Sequence, residues 1–220
     1  MRVADLNWMQ LEQYLERDDR IVLPLGSTEQ HGYLSLATDA ILAERIAIEA
    51  AEPLGVPVLP VLAYGITPYF AAFPGSPSVK RGTYLALVGE ILDSLRGQRF
   101  KRFLLVNGHG GNKPVEALSG PHVVVHDWWE APKTQAVVRQ IDPDASHASW
   151  TENFPWTRLA EVVLPDEHKP PTPRTSDDPV EVRKAVGDGS FGGWYSRPDE
   201  DVMRVWRAGV EETREVLATL

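Results

Sequence analysis

The segment IVLPLGSTEQHGYLSLATD, residues 21–39, decides the fold of the first part of the chain. Its first six residues are apolar, partly β-branched and end at Gly26, which predicts a short buried strand. Residues 38–55 follow with apolar side chains at helical spacing, and Thr38 or Asp39 is a candidate N-cap. A buried strand, a polar loop and an amphipathic helix in this order indicate the start of an α/β fold.

The alternation of strands and helices continues along the chain. Further strands are predicted in VPVLPVLAYG (56–65), FKRFLLVNGHGGN (100–112) and HVVVHDWW (122–129). Further helices are predicted within 78–98, at 136–141, around 148–154 and over 198–220, and the proline-rich segment 164–179 is predicted to be a surface loop. We therefore predict an α/β protein with a mainly parallel central sheet flanked by helices on both faces, in a single domain over 1–220.

Composition excludes several classes of protein. The chain has 220 residues and a formal net charge of −9, which argues against nucleic-acid or anionic-membrane partners, because phosphate binding needs clustered Lys and Arg. No apolar run approaches the roughly 20 residues of a membrane span, and residues 1–19 lack a signal pattern, so we expect a cytoplasmic location. Cysteine is absent, so a metal would be held by His, Asp, Glu or water.

Metal-type side chains follow two of the predicted strands. Glu29 and His31 are two residues apart and point to the same side of an extended segment. Asp39, at the start of the next helix, can return to that side. His109 lies in the glycine loop NGHGGN, after another strand. Because ligands of open α/β sheets bind outside the carboxyl ends of the strands, these four side chains are candidates for one site.

Carboxylates and imidazoles without thiols suit Zn²⁺ or Mn²⁺. Two such ions, about 3.5–4 Å apart, can share a water and make it a hydroxide that hydrolyses a polarised carbonyl. Other interpretations remain open at this point. Glu29 and His31 could be ordinary surface residues, and His109 could be a turn residue. The loop NGHGGN could also hold phosphate with backbone N–H groups, although it lacks the Lys and spacing of a P-loop.

Four segments in sequence order resemble the creatininase family, also called creatinine amidohydrolase: PLGSTEQHG…TD, FPGSPSV, LLVNGHGGN and HASWTEN. The resemblance implies an α/β sandwich with a parallel sheet and a two-metal centre. It also implies hydrolysis of non-peptide C–N bonds in small-molecule amides, and a homo-oligomer that is often a hexamer.

The resemblance also implies roles for particular residues. It implies five metal ligands, namely Glu29, His31, Asp39, His109 and Glu152. Asp39 matches the carboxylate that bridges the two ions, and His147 matches a candidate proton shuttle, so that His147 and Glu152 are the implied catalytic residues. Zn²⁺ is the favoured ion, with Mn²⁺ or Fe²⁺ as alternatives, since His, Asp and Glu accept all three.

Two departures from the family pattern affect the expected function. The segment between Glu29 and Asp39 is one residue shorter than usual, and Gly111 stands where creatininases carry a Glu, so creatinine is not the expected substrate. We predict a divalent-metal amidohydrolase that cleaves a non-peptide C–N bond of an amide or cyclic amide by a metal-bridging hydroxide. The alternatives are a deformylase or peptide-processing hydrolase of the same family, and a non-catalytic member.

Aromatic and glycine-rich segments give weaker predictions. Trp128 and Trp129 follow a predicted strand and either line a pocket or pack half-buried. Trp150 is expected to line the site because it lies close to His147 in the sequence. The segment GDGSFGG, 187–193, is expected to be a flexible loop because it does not follow a convincing strand.

Overall fold

Three parallel strands form the central sheet of the computed structural model, which describes residues 1–220. They are β1 (Arg20–Leu25), β2 (Arg102–Asn107) and β3 (Val123–Asp127), in that spatial order. The register pairs Leu25 with Asn107 and Asn107 with Asp127. The carboxyl ends of all three strands therefore meet at one edge of the sheet.

Residues 56–62 run along the outer edge of β1 without forming a regular strand. The amide of Leu59 donates to the carbonyl of Val22 at 2.9 Å, and the amide of Leu62 donates to the carbonyl of Pro24 at 3.0 Å, but only isolated bridges result. Proline has no N–H to donate to a ladder, and Pro60 and the strand residue Pro24 lie between the two bridged points. The prediction of a strand over 56–65 is therefore wrong, because this segment pairs with β1 at isolated points and forms no regular strand.

Helices cover both faces of the sheet, as predicted. The helices are α1 (Trp8–Tyr14), α2 (Thr38–Ala51), α3 (Arg81–Gly97), α4 (Pro132–Ile141), α5 (Pro179–Val186) and α6 (Asp199–Thr219). The prediction missed α1 and α5. A two-stranded antiparallel ribbon pairs β4 (His168–Lys169) with β5 (Gly193–Trp194), inside and after the segment predicted as a surface loop. No helix is long and apolar enough to cross a membrane.

Alternate residues of β2 supply the two hydrophobic cores, because successive side chains of a strand point to opposite faces. Leu104 and Val106 pack in the core that contains α2 and α6, whereas Phe103 and Leu105 pack in the core that contains α3. The predicted helix around 148–154 is only a 3₁₀ turn, Trp150–Glu152, at the margin of the first core.

Candidate metal centre

The first turn of α2 packs directly against the loops that leave β1 and β2. A Cβ atom on Gly26 would lie 2.4 Å from Cα of Ala40, and one on Gly108 would lie 2.8 Å from the carbonyl oxygen of Asp39. Such distances are too short for any side chain, so glycine is required at both positions. This close packing brings Asp39 to the edge of the sheet where β1 and β2 end.

Asp39 lies between two histidines. Its Oδ1 is 2.9 Å from Nε2 of His31, and its Oδ2 is 2.9 Å from Nδ1 of His109. The hydroxyl of Ser27 donates a further hydrogen bond to Oδ2 at 2.9 Å. Each oxygen of this buried carboxylate therefore faces a different histidine. This geometry is reached even though the segment between Glu29 and Asp39 is one residue shorter than usual.

Two more carboxylates complete the cluster. Oε1 of Glu29 is 3.3 Å from Nδ1 of His109, while Oε2 of Glu29 is buried and has no hydrogen-bond partner. Oε2 of Glu152 is 3.9 Å from Nε2 of His31 and accepts a hydrogen bond from the amide of Ala148 at 2.6 Å. A buried carboxylate oxygen without a partner is costly, so the orphaned oxygen of Glu29 fits a bound cation.

Each histidine of the cluster contacts a backbone carbonyl with the ring nitrogen that faces away from the carboxylates. The contacts are His31 with Glu29 at 3.1 Å, His109 with Ile66 at 3.0 Å and His147 with Gln30 at 2.9 Å. We assign the ring N–H to these bonds, since the carbonyl oxygens can only accept. In the neutral form of each ring, which is the form that binds a metal, the second ring nitrogen presents a lone pair toward the carboxylates, an arrangement typical of metal-binding histidines.

The buried charges of the cluster perturb its pKa values strongly. Burial lowers the pKa of His31, but Asp39, Glu152 and Glu29 together raise it to about 10. Burial likewise lowers the pKa of His109, but Glu29 and Asp39 raise it well above its ordinary value. Burial raises the pKa of Asp39, but the two histidines hold it below its ordinary value. The carboxylates thus favour positive charge at both histidines.

Glu152 and His147 have shifts of a different origin. Burial raises the pKa of Glu152 to about 7, with His31 opposing the shift and Asp39 adding to it. Burial and then the neighbouring His31 lower the pKa of His147 to about 3. The His147 ring is stacked on Phe70, with centroids 4.8 Å apart, and lies 5.4 Å from Phe191. His147 is therefore a neutral imidazole in an aromatic setting.

The ligand-type atoms form two triads that share Asp39. One triad is Glu29, Asp39 and His109, the other is His31, Asp39 and Glu152, and within each the atoms lie within 4.8 Å of one another. A third triad joins Glu29 and His31 to His147. Oxygen and imidazole donors without sulfur suit Zn²⁺ or Mn²⁺. The residues present therefore fit two neighbouring divalent ions.

A cavity of about 740 Å³ opens on this cluster. Trp128 and Trp129 line it, while Trp128 also packs against Trp206 in the core, with centroids 5.8 Å apart. The prediction for Trp150 is wrong: this side chain is fully buried in the first core and does not reach the cavity. The aromatic residues that do reach it include Phe70 and Phe191.

Comparison with known proteins identifies the family. The family model for creatininase, described as creatinine amidohydrolase, matches residues 4–215. The chain belongs to the creatininase family. This confirms the resemblance found in the four sequence segments, and places the chain in a family whose curated relatives are hydrolases.

Two curated proteins are similar to this chain. A creatinine amidohydrolase of Pseudomonas putida is 29% identical over 163 residues, which are 64% of this chain and 63% of that protein. A mycofactocin precursor peptide peptidase of Mycolicibacterium smegmatis is 33% identical over 155 residues, which are 67% of this chain and 61% of that protein. The matched region thus spans less than two thirds of the length of either relative.

Solved creatininase structures share the fold. The crystal structure of creatinine amidohydrolase (creatininase) superposes with a TM-score of 0.84 at 23% identity, covering 99% of this chain and 96% of that one. This confirms the predicted fold class. Two further matched structures are described as creatininase Mn and as a mutant creatininase of Zn-Zn type.

The structure brings together all six residues singled out from the sequence, while their roles stay predictions. Glu29, His31, Asp39, His109, His147 and Glu152 all line or adjoin the same cluster. Sequence reasoning missed Gln30, whose side-chain amide nitrogen donates to the carbonyl of Gly189 at 3.1 Å, and it missed Phe191. Gln30 contacts the GDGSFGG segment, and Phe191 is part of that segment. Its glycines were the available signal, because Gly189, Gly192 and Gly193 all have positive φ.

Proposed function

We propose that this chain is a divalent-metal-dependent amidohydrolase that cleaves a non-peptide C–N bond of an amide or cyclic amide. The proposed ligands of two ions are Glu29, His31, Asp39, His109 and Glu152. The single observation that carries the proposal is the position of Asp39, whose two oxygens each lie 2.9 Å from a different histidine and belong to both ligand triads. Zn²⁺ is favoured, with Mn²⁺ or Fe²⁺ as alternatives.

When bound here, two divalent ions would supply a Lewis acid for the amide carbonyl and would lower the pKa of a water molecule. The chain itself contributes the orientation of the ligands. Ser27 holds one oxygen of Asp39, and the carbonyls of Glu29 and Ile66 fix the rings of His31 and His109. The cavity provides the space for the substrate beside the cluster.

His147 is proposed to move the proton from water to the leaving nitrogen. Its Nε2 lies 2.9 Å from both the carbonyl oxygen and the side-chain amide nitrogen of Gln30, and its Nδ1 is on the side of the cluster, 3.9 Å from Oε1 of Glu29. Burial lowers the pKa of His147, so the ring is neutral and one of its nitrogens is available to accept a proton. Glu152 is proposed to serve in acid–base catalysis as well as in metal binding.

A peptide-processing hydrolase remains the second candidate. Two observations favour it: the 33% identity to the peptidase of M. smegmatis, and a cavity of about 740 Å³, which is in the range that accommodates ligands larger than a small lactam. A deformylase activity of this chain would use the same proposed metal centre. The joint presence of five ligand-type side chains weighs against a non-catalytic member.

Elemental analysis of the purified protein tests the proposed centre. We expect about two divalent ions per chain in the wild type after reconstitution with Zn²⁺ or Mn²⁺. His109→Ala removes a ligand-type nitrogen from one triad and should lower the metal content and abolish hydrolysis of a panel of formamides, lactams and short peptides. A matched control is His126→Gln, since His126 is buried beside Thr213 outside the cluster.

The outcomes separate the parts of the proposal. Full metal content in His109→Ala would remove His109 from the ligand set. One ion per wild-type chain would contradict Asp39 as a bridge. No metal in the reconstituted wild type would overturn the proposed function, and loss of metal in His126→Gln would attribute the effect to folding rather than to a ligand.

Assembly and location form the remaining part of the proposal. We infer one creatininase-like domain over 1–220, a small-molecule amide as ligand, a homo-oligomer such as a hexamer, and a cytoplasmic location. Two adjacent apolar side chains are available for self-association, since Trp8 is 69% exposed and Met9 is 52% exposed. Burial in a subunit interface would remove this apolar surface from water.

A further inference from the structure

The cavity has one cationic wall residue. Arg174 is the single lysine or arginine among the side chains that line it, and it lies in the loop between β4 and α5. The proposed centre and the rest of the wall contribute carboxylates, from Glu29, Asp39, Glu152 and Glu130. A lone positive charge in an otherwise acidic cavity is a candidate for recognition of an anionic group on a ligand.

An aromatic ring positions the Arg174 side chain. Its guanidinium carbon lies 3.8 Å from the centroid of the Tyr69 ring, a favourable cation–π geometry. Tyr69 belongs to the short 3₁₀ turn Pro68–Phe70, and Phe70 in turn stacks on His147. The same turn therefore contacts both the guanidinium of Arg174 and the ring of His147, the proposed proton shuttle. These two side chains are thus held in a fixed relative position.

The donors of Arg174 remain available to a ligand. The nearest carboxylate oxygen, Oδ1 of Asp177, is 3.7 Å from Nη2, and the Asp177 side chain is 83% exposed. This distance is longer than the roughly 2.7–2.9 Å of a charge-assisted hydrogen bond. A guanidinium presents a planar fork that matches a carboxylate in two parallel hydrogen bonds. Arg174 is thus positioned by stacking but not engaged by a protein acceptor.

We propose that Arg174 binds a carboxylate of the substrate, so that the substrate class is an amide that also carries a carboxylate away from the scissile bond. This inference rests on the proposed function and names its substrate class. Trp129 and Phe191 line the same cavity and suit an apolar body between the two polar ends. The proposed ions would bind the amide carbonyl, so a carboxylate elsewhere on the substrate is free to pair with the planar fork of Arg174.

Matched substrate pairs test this inference on the metal-loaded protein. N-formyl-leucine and leucyl-leucine are each compared with the corresponding carboxamide, which lacks the terminal charge. Release of formate or of the N-terminal leucine is measured, so that hydrolysis of the terminal carboxamide itself is not counted. We expect the carboxylate member to have the higher kcat/KM by about ten- to a hundredfold, the range of a hydrogen-bonded charge pair. Arg174→Gln should remove this preference by lowering kcat/KM for the carboxylate members more than for the carboxamides.

Arg183→Gln provides the matched control. Arg183 is a neighbouring arginine that also lies over an aromatic ring, 5.5 Å from the centroid of Phe73, but it does not line the cavity. The preference for carboxylates should persist in this variant. If wild type hydrolyses both members of a pair equally, or if Arg174→Gln keeps the preference, the inference is wrong while the amidohydrolase proposal stands.

A binding measurement keeps the test independent of turnover. Titration of the metal-loaded protein with N-formyl-leucine and with its carboxamide can be followed by calorimetry in wild type and Arg174→Gln. Tighter binding of the carboxylate in wild type alone supports the role of Arg174 even if no substrate of the panel is hydrolysed, an outcome that would contradict only the proposed function. Equal affinities in the two proteins would overturn the inference.

Discussion

The geometry of Asp39 depends on side chains that are not proposed ligands. The Ser27 hydroxyl is fully buried and donates to Oδ2 of Asp39 at 2.9 Å. Outer partners of this kind set the orientation of a ligand and typically change metal affinity by about 10–100-fold. We therefore expect Ser27→Ala to weaken Zn²⁺ binding by about that factor, measured by competition with a chromophoric chelator.

Thr213→Val is the control for Ser27→Ala. Thr213 is also a fully buried hydroxyl residue, and it donates to the carbonyl of Gly209 and contacts His126, away from the cluster. This variant should lose a comparable hydrogen bond, about 1 kcal/mol of folding free energy, without a change in metal affinity. Equal losses of affinity in both variants would show that stability alone controls metal binding.

Residue spacing in the sequence predicted that Glu29, His31, Asp39 and His109 would converge. It did not predict the backbone groups that hold these side chains in place. Glu29 and His31 follow β1 directly and His109 follows β2, so the parallel register alone brings them to one edge. The carbonyl that holds His109 belongs to Ile66, which is 43 residues away along the chain. Gly111 is part of this support, since a Cβ there would lie 1.9 Å from the Ile66 oxygen. Such distant backbone contacts have no signature in one sequence.

Among the elements, the N-terminus of α2 has a strict packing requirement. A Cβ on Gly26 would lie 2.4 Å from Cα of Ala40, so Gly26→Ala must displace α2 from the end of β1. Overpacking of this kind costs about 1–3 kcal/mol. Because Asp39 is in the first turn of α2, we expect Gly26→Ala to lower both the free energy of unfolding, measured with urea, and the affinity for Zn²⁺.

Gly89→Ala serves as the opposite case. Gly89 lies within α3, and a Cβ there would meet nothing within 4 Å. Alanine is favoured over glycine in a helix by about 0.5–1 kcal/mol, so this variant should be slightly more stable than wild type with unchanged metal binding. Destabilisation by Gly89→Ala, or no effect of Gly26→Ala, would contradict the packing argument.

The elements themselves were predicted unevenly, for physical reasons. Strong apolar periodicity marks α2, α3 and α6, and apolar runs mark β1, β2 and β3, because each buries a continuous face or strand. The turn Trp150–Glu152 lacks such a pattern, and its tryptophan is drawn into the core rather than toward the cavity. The position of residues 187–193 is set by tertiary contacts, such as the hydrogen bond from the Gln30 side chain to the carbonyl of Gly189, which local sequence does not reveal.

At the scale of the whole molecule, the fold buries a cluster of carboxylates and histidines. The negative charge of this cluster is compensated by protons on the histidines or by bound cations. In the metal-free protein, Asp39 and the other carboxylates raise the pKa of His31 from 6.5 to about 10 against the opposing effect of burial, and that of His109 rises in the same direction. Protonation of these rings then stabilises the folded state. That contribution is fully present below about pH 6.5 and is lost as the pH rises through about 10.

Stability should therefore depend on pH in a way that reports the proposed metal centre. We expect the Tm of chelator-treated protein to fall between about pH 7 and pH 9.5, because the folded state gives up protons that His31 and His109 bind more tightly than the unfolded chain does. The Tm of the metal-loaded protein should change much less over this range, since the ions replace those protons as the positive charge beside Asp39. Calorimetry of both forms in matched buffers measures the difference. Parallel pH profiles would mean that the carboxylates are not balanced by metal, and would contradict the proposed ligand set.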